Sequence, residues 1–505
     1  MLLHHAFEAA AQKSPAKVAV VSAEERVSYE ELRQRAHALA NDLREAGIRA
    51  GDRVLTLLDS GVEFAVALHG VLSAGAVFVP VSPLAKTDKV AFIASDSGAC
   101  ALLTHALLAP SWKPALPAMT SVRALWVAGE PVAGVERGAR RWPAAAVRAC
   151  PEPERDPDDL ALLVYTSGTT GIPKGAMLTH ASIASVWSSI QPWLGLRPSD
   201  VIGLALPPAF TYGLTNLMMG LATGATVVLD RSAAFPVRLA QTLVRERVTV
   251  FPGVPTLFAS LLGLSDLATF DWSSLRLLTN AAAALPESHV RRLREVWPAA
   301  ELILMYGMTE CIRASYLPHE ELQVRPTSVG RGIPSQAHWL IDDSGRILPP
   351  GSTGELVVAG PHVMQGYWQR PTETAQRLST GADGRRRFRT GDIFRSDAEG
   401  FLYFVSRTDD IIKTRGEKVA PREVENAIYQ LEGVRACAVV GVADQALGQV
   451  VKAYVTLDPR SALDERTITR HCMARLESYM VPKRIEIVDE LPQTESGKIR
   501  HASLR

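Results

Sequence analysis

The feature that most constrains the fold is an alternation of short apolar runs with helix-length segments between about residues 53 and 306. The runs are rich in Val, Leu and Ile, as in RVLTLL, LALLVYT, VIGLALPP, VTVFPGV and ELILMYG. Continuously apolar runs are typical of strands buried on both faces, and parallel strands need a crossover segment between them, usually a helix. The alternation therefore predicts an α/β fold with doubly wound, mostly parallel sheets.

The pattern changes in the last third of the chain. Between about residues 326 and 405, strand-like runs such as GELVVAG and FLYFVSR are separated by Gly, Pro and Asp, which predicts a β-rich subdomain. A polar stretch, TDDIIKTRGEK, follows, and after it come a helix signal at PREVENAIYQL and strand-like runs at VRACAVVGV and VVKAYVTL. We therefore expect an N-terminal core over residues 1–408 and a small α+β C-terminal domain over residues 409–505.

Composition excludes several classes of protein. The 505 residues exceed what one hydrophobic core usually supports, which agrees with more than one domain. The 54 Lys and Arg residues nearly balance the 53 Asp and Glu residues, so a nucleic-acid partner is not expected. The five cysteines are scattered without metal-ligand or redox-pair spacing, and no apolar run approaches the roughly 20 residues of a membrane span. We expect a cytoplasmic protein with free thiols and no membrane insertion.

The strongest chemical signal is YTSGTTGIPKG, residues 165–175, which follows the apolar run LALLV. Its small residues let backbone N–H groups approach phosphate oxygens, so the motif predicts a phosphate-binding loop ahead of a helix that begins near Met177. The loop differs from the P-loop of kinases and GTPases, because Pro173 and Gly175 stand where that pattern needs Gly and Ser or Thr. The predicted phosphate contacts are Thr166, Ser167, Gly168, Thr169, Thr170, Gly171 and Lys174.

This loop resembles the signature of the adenylate-forming superfamily, which includes acyl- and aryl-CoA ligases, luciferases and the adenylation domains of peptide synthetases. Further similar elements occur in the family's order over nearly the whole chain: VSYEELRQRAHALANDLREAGIRAGDRV, PPAFTYG, YGMTE, TGD, RTDDIIKTRGEKVAPREVE and PQTESGKIR. The resemblance implies a large N-terminal domain, a small mobile C-terminal cap, and the use of ATP and Mg²⁺. The implied reaction joins a carboxylate to AMP as an acyl-adenylate, releases pyrophosphate and passes the acyl group to an acceptor.

The resemblance also assigns roles to residues within these elements. Tyr306 resembles the adenine-stacking residue, Asp392 the carboxylate that accepts hydrogen bonds from both ribose hydroxyls, and Arg407 a second ribose contact. Gly307 is expected to let the substrate carboxylate and the nucleotide meet closely. The further implied nucleotide contacts are Ala282, Ala283, Met308 and Thr309, and the implied catalytic residues are Thr170, Lys174, Glu310 and Lys498.

The chemistry explains why two lysines and a metal are needed. A carboxylate attacks a polyanion, so phosphate charge must be neutralised before in-line displacement. Lys174, Lys498 and a Mg²⁺ ion on Glu310 are expected to supply that charge. No covalent enzyme intermediate is required, so we expect Cys311 to line the pocket rather than to act as a nucleophile.

The nature of the acceptor is implied by the segment that joins the two domains. Asp409 falls where the family has its hinge residue, and Gly416 falls where a loop glycine borders the pantetheine tunnel. The chain ends at Arg505 without a fused carrier domain, so we expect the acceptor to arrive in trans. A thiol is expected, either that of CoA or that of a carrier-protein phosphopantetheine.

The acid-binding pocket is predicted around PPAFTYGL. Phe210 occupies the place where many CoA ligases carry a histidine, and Thr211 the place where α-amino-acid activating domains carry an aspartate. Without that aspartate an α-ammonium group would be buried unpaired, so α-amino acids are not expected. The mainly apolar wall fits a modest aryl, alicyclic or short acyl monocarboxylate. Its predicted members are Phe210, Thr211, Tyr212, Asn280, Ala281, Ala282, Cys311 and Ile312.

Three functions stay open at this point. The first is a thioester-forming acid ligase that uses CoA or a carrier protein. The second is an amide-forming ligase that passes the same acyl-adenylate to an amine or amino acid. The third is a nucleotide-binding protein that keeps the fold without turnover, and the presence of Lys174, Glu310, Asp392 and Lys498 argues against it.

Overall fold

The computed structural model describes residues 1–23, 25–135, 139–143, 150–151, 153–167, 172–414, 417–444, 448–494 and 497–504. In these ranges the strands up to the middle of the chain are β1 (Val18–Val21), β2 (Arg26–Ser28), β3 (Arg53–Leu57), β4 (Val77–Val81), β5 (Ala101–His105), β6 (Ala124–Ala128), β7 (Ala139–Arg141), β8 (Leu160–Ser167), β9 (Pro173–Thr179), β10 (Val201–Leu204), β11 (Thr226–Leu229), β12 (Val250–Gly253), β13 (Leu277–Asn280) and β14 (Glu301–Tyr306).

The later strands are β15 (Ser315–Leu317), β16 (Arg331–Gly332), β17 (Ala337–Ile341), β18 (Thr353–Ala359), β19 (Leu378–Thr380), β20 (Arg386–Ser396), β21 (Leu402–Arg407), β22 (Ile412–Thr414), β23 (Glu417–Val419), β24 (Val434–Asp444), β25 (Gly448–Leu457) and β26 (Arg484–Ile487). The helices are α1 (Leu3–Lys13), α2 (Tyr29–Glu45), α3 (Val62–Ser73), α4 (Thr87–Ser97), α5 (Ala109–Trp112), α6 (His180–Leu194), α7 (Thr211–Thr223), α8 (Pro236–Arg245), α9 (Pro255–Leu262), α10 (Glu287–Val296), α11 (Pro371–Arg377), α12 (Pro421–Ile428) and α13 (Glu465–Met473).

The first sheet has the strand order β7-β6-β5-β3-β4-β8-β9, and its strands run parallel except for the β8–β9 pair. Adjacent residues of β3 point to opposite faces, and both faces are covered: Val54 belongs to one apolar cluster and Leu55 to another. Burial on both faces is the reason why these runs are apolar without alternation. The predicted doubly wound α/β architecture is confirmed.

The helix predicted to begin near Met177 starts later in the chain, because PKGAMLT forms strand β9. This strand pairs antiparallel with β8, so that Lys174 lies opposite Thr166 and Met177 opposite Leu163. The helix that follows is α6, which begins at His180. Thr179 ends the strand and caps that helix, since its hydroxyl accepts from the backbone N–H of Ser182 while the Ser182 hydroxyl accepts from that of Thr179. The phosphate-loop motif therefore connects two strands of a hairpin.

The second sheet has the order β16-β15-β14-β13-β12-β10-β11-β1-β2, and the strands from β14 to β1 are parallel. Gly253 on β12 is in register with Asn280 on β13, and Asn280 is in register with Leu304 on β14. The carboxyl ends of these three strands therefore meet at one edge. In open α/β sheets this edge is where ligands bind.

The third sheet is antiparallel and comprises β17 to β21, which fits the predicted β-rich subdomain. The fourth sheet combines β22 to β26 with helices α12 and α13, and it has its own apolar cluster that includes Ile412, Val424, Val439 and Val455. The boundary expected between residues 408 and 409 falls between these two sheets and stays a prediction. Every helix in the described ranges is too short or too polar to cross a membrane.

Candidate active site

Strands β20 and β21 bring an aspartate and an arginine together. Asp392 pairs with Arg407 in the antiparallel register, and the Nε atom of Arg407 lies 3.2 Å from the Oδ1 atom of Asp392. The hydroxyl of Tyr306, at the end of β14, donates a 2.7 Å hydrogen bond to the other carboxylate oxygen, Oδ2. The three side chains thus join the carboxyl edge of the second sheet to the third sheet.

Two buried atoms at this junction have no hydrogen-bond partner in the described part of the chain. They are Oδ1 of Asp392 and Nε of Arg407, whose mutual geometry is not that of a hydrogen bond although the atoms are close. Burial raises the pKa of the Asp392 carboxyl, and the guanidinium of Arg407 and the Tyr306 hydroxyl offset part of that shift. A buried acceptor without a donor is costly, so this corner is suited to a ligand that brings hydroxyl groups.

Glu310 lies at the same edge of the sheet, and its partner is a residue that the sequence did not indicate. The hydroxyl of Tyr367 donates a 2.8 Å hydrogen bond to Oε1 of Glu310, which is buried. The Nζ atom of Lys174 lies 5.7 Å from the centroid of the Tyr367 ring, within the range of a cation–π contact. Tyr367 therefore joins the glutamate of YGMTE to the lysine of the phosphate-loop motif.

Backbone hydrogen bonds hold Tyr367 in this position. The segment around it adds to β9: the N–H of Met177 donates to the carbonyl oxygen of Gly366, and the N–H of Trp368 donates to that of Gly175. The N–H of Met364 donates to the carbonyl oxygen of Glu310. The stretch MQGYWQR carries no periodic pattern, so only this non-local pairing reveals its place in the site.

The predicted pocket wall is largely brought together. The hydroxyl oxygens of Thr211 and Thr309 lie 2.9 Å apart, which links the start of α7 to YGMTE. The Tyr212 hydroxyl donates to the carbonyl oxygen of Thr279, and the side-chain amide of Asn280 donates to the carbonyl oxygen of Ala283. All members of the wall are buried except Phe210 and Ala282, which are partly buried.

Backbone conformation at this wall is unusual at two residues that are not glycine. Ala282 has φ 72° and Ile312 has φ 61°, which is strained for a β-branched side chain. The turn at Ile312 folds the chain against Gly307, where a Cβ atom would stand 2.3 Å from the Ile312 carbonyl oxygen. Glycine is therefore required at position 307 for a steric reason.

Cys311 is not set up as a nucleophile. The residue is fully buried, and burial is the main cause that raises the pKa of its thiol to about 12. A thiol with such a pKa stays protonated near neutral pH, so the reactive thiolate is not formed. This agrees with the expectation that Cys311 lines the pocket.

The C-terminal part of the chain docks on the same edge and brings Lys498 to it. The hydroxyl of Thr256, on α9, donates a 2.7 Å hydrogen bond to the carbonyl oxygen of Gly497. Arg422, on α12, donates from Nη2 to the carbonyl oxygen of Ala284 at 2.8 Å. The two contacts join the C-terminal part to the segments that follow β12 and β13 of the second sheet.

Lys498 lies within electrostatic reach of the buried acidic residues. The residue as a whole is exposed, but its ammonium group lies close to other protein groups. Burial and the positive charge of Arg407 lower the pKa of this ammonium group, whereas the carboxylates of Asp392 and Glu310 raise it. Two cations, Lys498 and Arg407, therefore face two carboxylates, Asp392 and Glu310, at this edge. The charges of this group of side chains balance.

The remaining predicted site residues are described only in part. Gly168, Thr169, Thr170, Gly171 and Gly416 lie outside the described residues, and of Ser167 only the backbone is described. Asp409 lies in the short turn Thr408–Asp410 between the third and fourth sheets. The Met308 sulfur lies 3.7 Å from the Tyr306 hydroxyl. Among the described residues, no three His, Cys, Asp or Glu side chains lie together as a metal site.

A second residue that the sequence did not indicate is Arg313, which follows YGMTECI. It is buried, and its guanidinium carbon lies 4.5 Å from the centroid of the Tyr212 ring in the predicted pocket wall. Arginine side chains are mostly exposed in folded proteins, so the sequence alone does not mark Arg313 as a buried residue.

Comparison with known proteins bears on what this site is. The family model for the AMP-binding enzyme matches residues 7–368, and the model for the AMP-binding enzyme C-terminal domain matches residues 423–498. A feruloyl-CoA synthase from an Amycolatopsis species is 36% identical over 504 residues, which cover 98% of this chain and 96% of that protein.

Two solved structures resemble the whole chain. That of the anthranilate CoA ligase AuaEII in complex with anthranoyl-AMP has a TM-score of 0.91 at 27% identity and covers 100% of this chain and 96% of that one. That of the amide bond synthetase McbA from Marinactinospora thermotolerans has a TM-score of 0.87 at 28% identity, with coverages of 100% and 99%. Together with the family models, these similarities show that the chain belongs to the AMP-binding enzyme family, the adenylate-forming superfamily that its motifs resemble.

Proposed function

We propose that this protein is an ATP-dependent carboxylic acid ligase that forms an acyl-AMP and pyrophosphate and then transfers the acyl group to a thiol. The observation that carries the proposal is the buried Oδ1 of Asp392, which accepts no hydrogen bond from the described residues although Arg407 lies 3.2 Å away, with Lys498 within electrostatic reach. A ribose offers two adjacent hydroxyl groups, which are the donors that such a carboxylate lacks.

The nucleoside would be held by three side chains. The ring of Tyr306 is fixed by its hydrogen bond to Asp392 and by an edge contact with Phe394, whose ring centroid is 4.8 Å away. A fixed ring of this kind suits an adenine base, which stacks on aromatic faces. Asp392 and Arg407 would bind the ribose, and Ala282, Ala283 and Met308 would line the base.

The phosphates would be held by Lys174, Lys498 and Thr309 together with the loop residues from Thr166 to Gly171. Glu310 is the candidate ligand of Mg²⁺, and one of its carboxylate oxygens is already taken by Tyr367. One carboxylate with phosphate oxygens and waters is a usual set for this ion, which when bound supplies positive charge to the phosphates. The hydrogen bond from Tyr367 fixes the carboxylate in place.

The first half-reaction needs positioning and charge rather than a nucleophile from the protein. A carboxylate oxygen of the acid attacks the α-phosphorus of ATP, the bond from that phosphorus to the bridging oxygen breaks, and pyrophosphate leaves with the electron pair. Lys498 would stabilise the charge on the phosphoryl oxygens, and Gly307 would leave room for the two reacting groups. In the second half-reaction a thiol sulfur attacks the acyl carbon and AMP leaves.

The acid is expected to be small and to lack an α-ammonium group. Thr211 is bonded to Thr309, so no carboxylate stands at that position to pair with such a group. The feruloyl-CoA synthase and the anthranilate CoA ligase are named for aromatic acids. These relatives support an aryl, alicyclic or short acyl acid for this chain.

The experiment that tests the proposal is a panel of carboxylic acids assayed for acid-dependent pyrophosphate release from ATP and Mg²⁺. Release with at least one acid, together with an acyl-AMP seen by mass spectrometry, is the expected result. Binding of ATP without release for any acid would favour a nucleotide-binding protein without turnover.

A second candidate function is amide formation, which the similarity to the amide bond synthetase McbA supports weakly. In that case the acyl carbon would be attacked by an amine instead of a thiol. Mass analysis of the products with CoA, a phosphopantetheinylated carrier protein and a set of amines separates the two. We expect thioester formation, and amide as the sole product would replace the thiol assignment.

A further inference from the structure

Arg313 is buried at the acyl pocket without a carboxylate partner. Only 5% of the residue is exposed, and in the described part of the chain no Asp or Glu oxygen lies within ion-pair distance of its guanidinium. Nη1 donates a 2.7 Å hydrogen bond to the carbonyl oxygen of Ile312, whereas Nε has no partner. The guanidinium has five N–H donors, and in the described part of the chain none of them pairs with a side-chain carboxylate.

Two other inward-facing arginines do have a buried carboxylate partner. Arg276 pairs with the buried Asp200 at 2.6 Å, and Arg422 pairs with the buried Glu425 at 3.3 Å. Taking a charge out of water without a counter-charge costs several kcal/mol or more, by the general scale for buried ions. Burial lowers the pKa of Arg313, and Tyr212 and Cys311 oppose this shift. A ligand with a negative charge would offset this cost.

The guanidinium faces the wall of the predicted acyl pocket. It stacks on the ring of Tyr212, and the Tyr212 hydroxyl is tied to the carbonyl and hydroxyl oxygens of Thr279. The next residue, Asn280, has a buried side-chain oxygen, Oδ1, that also lacks a partner in the described residues. Two polar groups that lack a hydrogen-bond partner in the described residues, a donor and an acceptor, therefore border the same wall, which is mainly apolar.

We propose that Arg313 determines the specificity of the acyl pocket by pairing with a second negatively charged group on the acid, so that the substrate is a short dicarboxylic acid. The inference rests on the proposed adenylating function, and it changes the expectation of a monocarboxylate. One carboxylate of the acid would be adenylated beside Gly307, and the other would form charge-assisted hydrogen bonds with Arg313. A hydroxyl group on the acid would donate a hydrogen bond to Oδ1 of Asn280.

The competing explanation is that the contacts with Tyr212 and Ile312 alone stabilise Arg313 as a structural residue. The two explanations differ in their effect on substrate choice. A structural residue affects all acids alike, whereas a charge partner affects only acids with a second anionic group. A site built to bond a polar group also rejects analogues that lack it, because its own groups are then left unpaired.

The test compares kcat/KM for acid-dependent pyrophosphate release between diacids and monoacids of matched skeleton. The pairs are succinate with butyrate, glutarate with pentanoate, adipate with hexanoate, and terephthalate with benzoate. For the wild-type enzyme we expect at least one diacid to exceed its monoacid by roughly tenfold or more. Monoacids that equal or exceed their diacids in all four pairs would overturn the proposal and leave the proposed function standing, whereas no release with any acid would count against that function itself.

Variants at position 313 supply the second readout. Arg313→Met removes the charge at similar length, and it should lower kcat/KM for the favoured diacid by on the order of 100-fold, so that the preference shifts toward the monoacid. Arg313→Lys keeps a charge and should retain an intermediate preference for the diacid. An equal loss for both members of a pair would show a structural role. AMP affinity, measured by calorimetry, checks that each variant is folded. If neither variant is folded, the comparison of diacids with monoacids in the wild-type enzyme tests the proposal by itself.

Discussion

The hydroxyl of Thr256 donates a 2.7 Å hydrogen bond to the carbonyl oxygen of Gly497, the residue that precedes Lys498. Thr256 lies in the first turn of α9, which follows β12, and Gly497 lies in the last loop of the chain. The contact fixes the backbone of that loop against the carboxyl edge of the second sheet. It explains why Lys498 lies within reach of Asp392 and Glu310 in this arrangement of the two parts of the chain.

The first prediction concerns this contact. Thr256→Val removes the hydroxyl at constant shape and should slow acid-dependent pyrophosphate release about fivefold, since one hydrogen bond is worth about 1 kcal/mol. Transfer from a supplied synthetic acyl-adenylate should change less. The matched control is Ser260→Ala on the same helix, where the exposed hydroxyl bonds only within the helix to the carbonyl oxygen of Thr256. Equal slowing in both variants would show an effect on α9 rather than on docking.

The second prediction concerns nucleotide affinity. Asp392→Ala should weaken the binding of ATP and AMP by about 2 to 4 kcal/mol, because charge-assisted hydrogen bonds to the ribose are lost. Tyr306→Phe keeps the ring, removes the 2.7 Å bond to Asp392 and should cost only about 1 kcal/mol. Calorimetric titration with AMP measures both. An unchanged affinity for the Asp392 variant would mean that this residue only orders the β20–β21 pair.

The sequence predicted those parts of the site that lie within short motifs. Tyr306, Glu310, Asp392 and Lys498 were named from motifs that resemble those of the family, and the structure brings them together where the second and third sheets and the C-terminal part meet. The register that sets Asp392 opposite Arg407 was not readable, because pairing depends on how two distant strands align. The start of the helix expected near Met177 was misplaced for a related reason, since PKGAMLT pairs with β8 and with the segment at Gly366 and is therefore a strand.

Tyr367 and Arg313 could not be inferred from the sequence. Tyr367 becomes part of the site through Glu310, which is 57 residues away, and no motif connects the two. Arg313 lies between β14 and β15, and its ring contact is with Tyr212 on α7, which is distant in the sequence. In both cases the residue is identified as part of the site by its buried contacts, and such contacts exist only in the folded chain.

The third prediction tests the acceptor. The resemblance places Gly416 beside the acceptor tunnel, and this residue lies outside the described ranges. If a thiol arm passes there, Gly416→Leu should keep acid-dependent pyrophosphate exchange and lower thioester formation sharply, because a branched side chain obstructs a narrow passage. The pair of rates is measured with CoA, a phosphopantetheinylated carrier and amines. Product formed with an amine in the variant, and no thiol acylated by the wild type, would establish the amide alternative.

The fourth prediction concerns acid stability. His69 is buried with both ring nitrogens unpartnered in the described residues, and burial lowers its pKa to about 3. Because the folded pKa lies below the unfolded value of about 6.5, the stabilisation is complete above that pH and is lost as pH falls toward 3. At about pH 5 the loss from this group approaches 2 kcal/mol.

Thermal unfolding at about pH 7.5 and about pH 5 measures this dependence. His69→Phe cannot take up a proton, so its melting temperature should fall less between the two pH values than that of the wild type. His37→Phe is the matched control, since this histidine is only partly buried and contacts Glu8 at 2.6 Å. The same fall for wild type and the His69 variant would assign the acid sensitivity to other groups.

The most direct test of the central claim is the effect of Lys498→Ala on the two half-reactions measured separately. The account predicts that acid-dependent pyrophosphate release falls by on the order of 100-fold or more, because a preorganised charge at the phosphates is lost. Thioester formation from a supplied acyl-adenylate should stay within about threefold of wild type, since that step does not use this lysine. Lys483→Ala, an exposed lysine of the same C-terminal part, serves as the control. Undiminished pyrophosphate release in Lys498→Ala, or an equal loss in both half-reactions, would contradict the account.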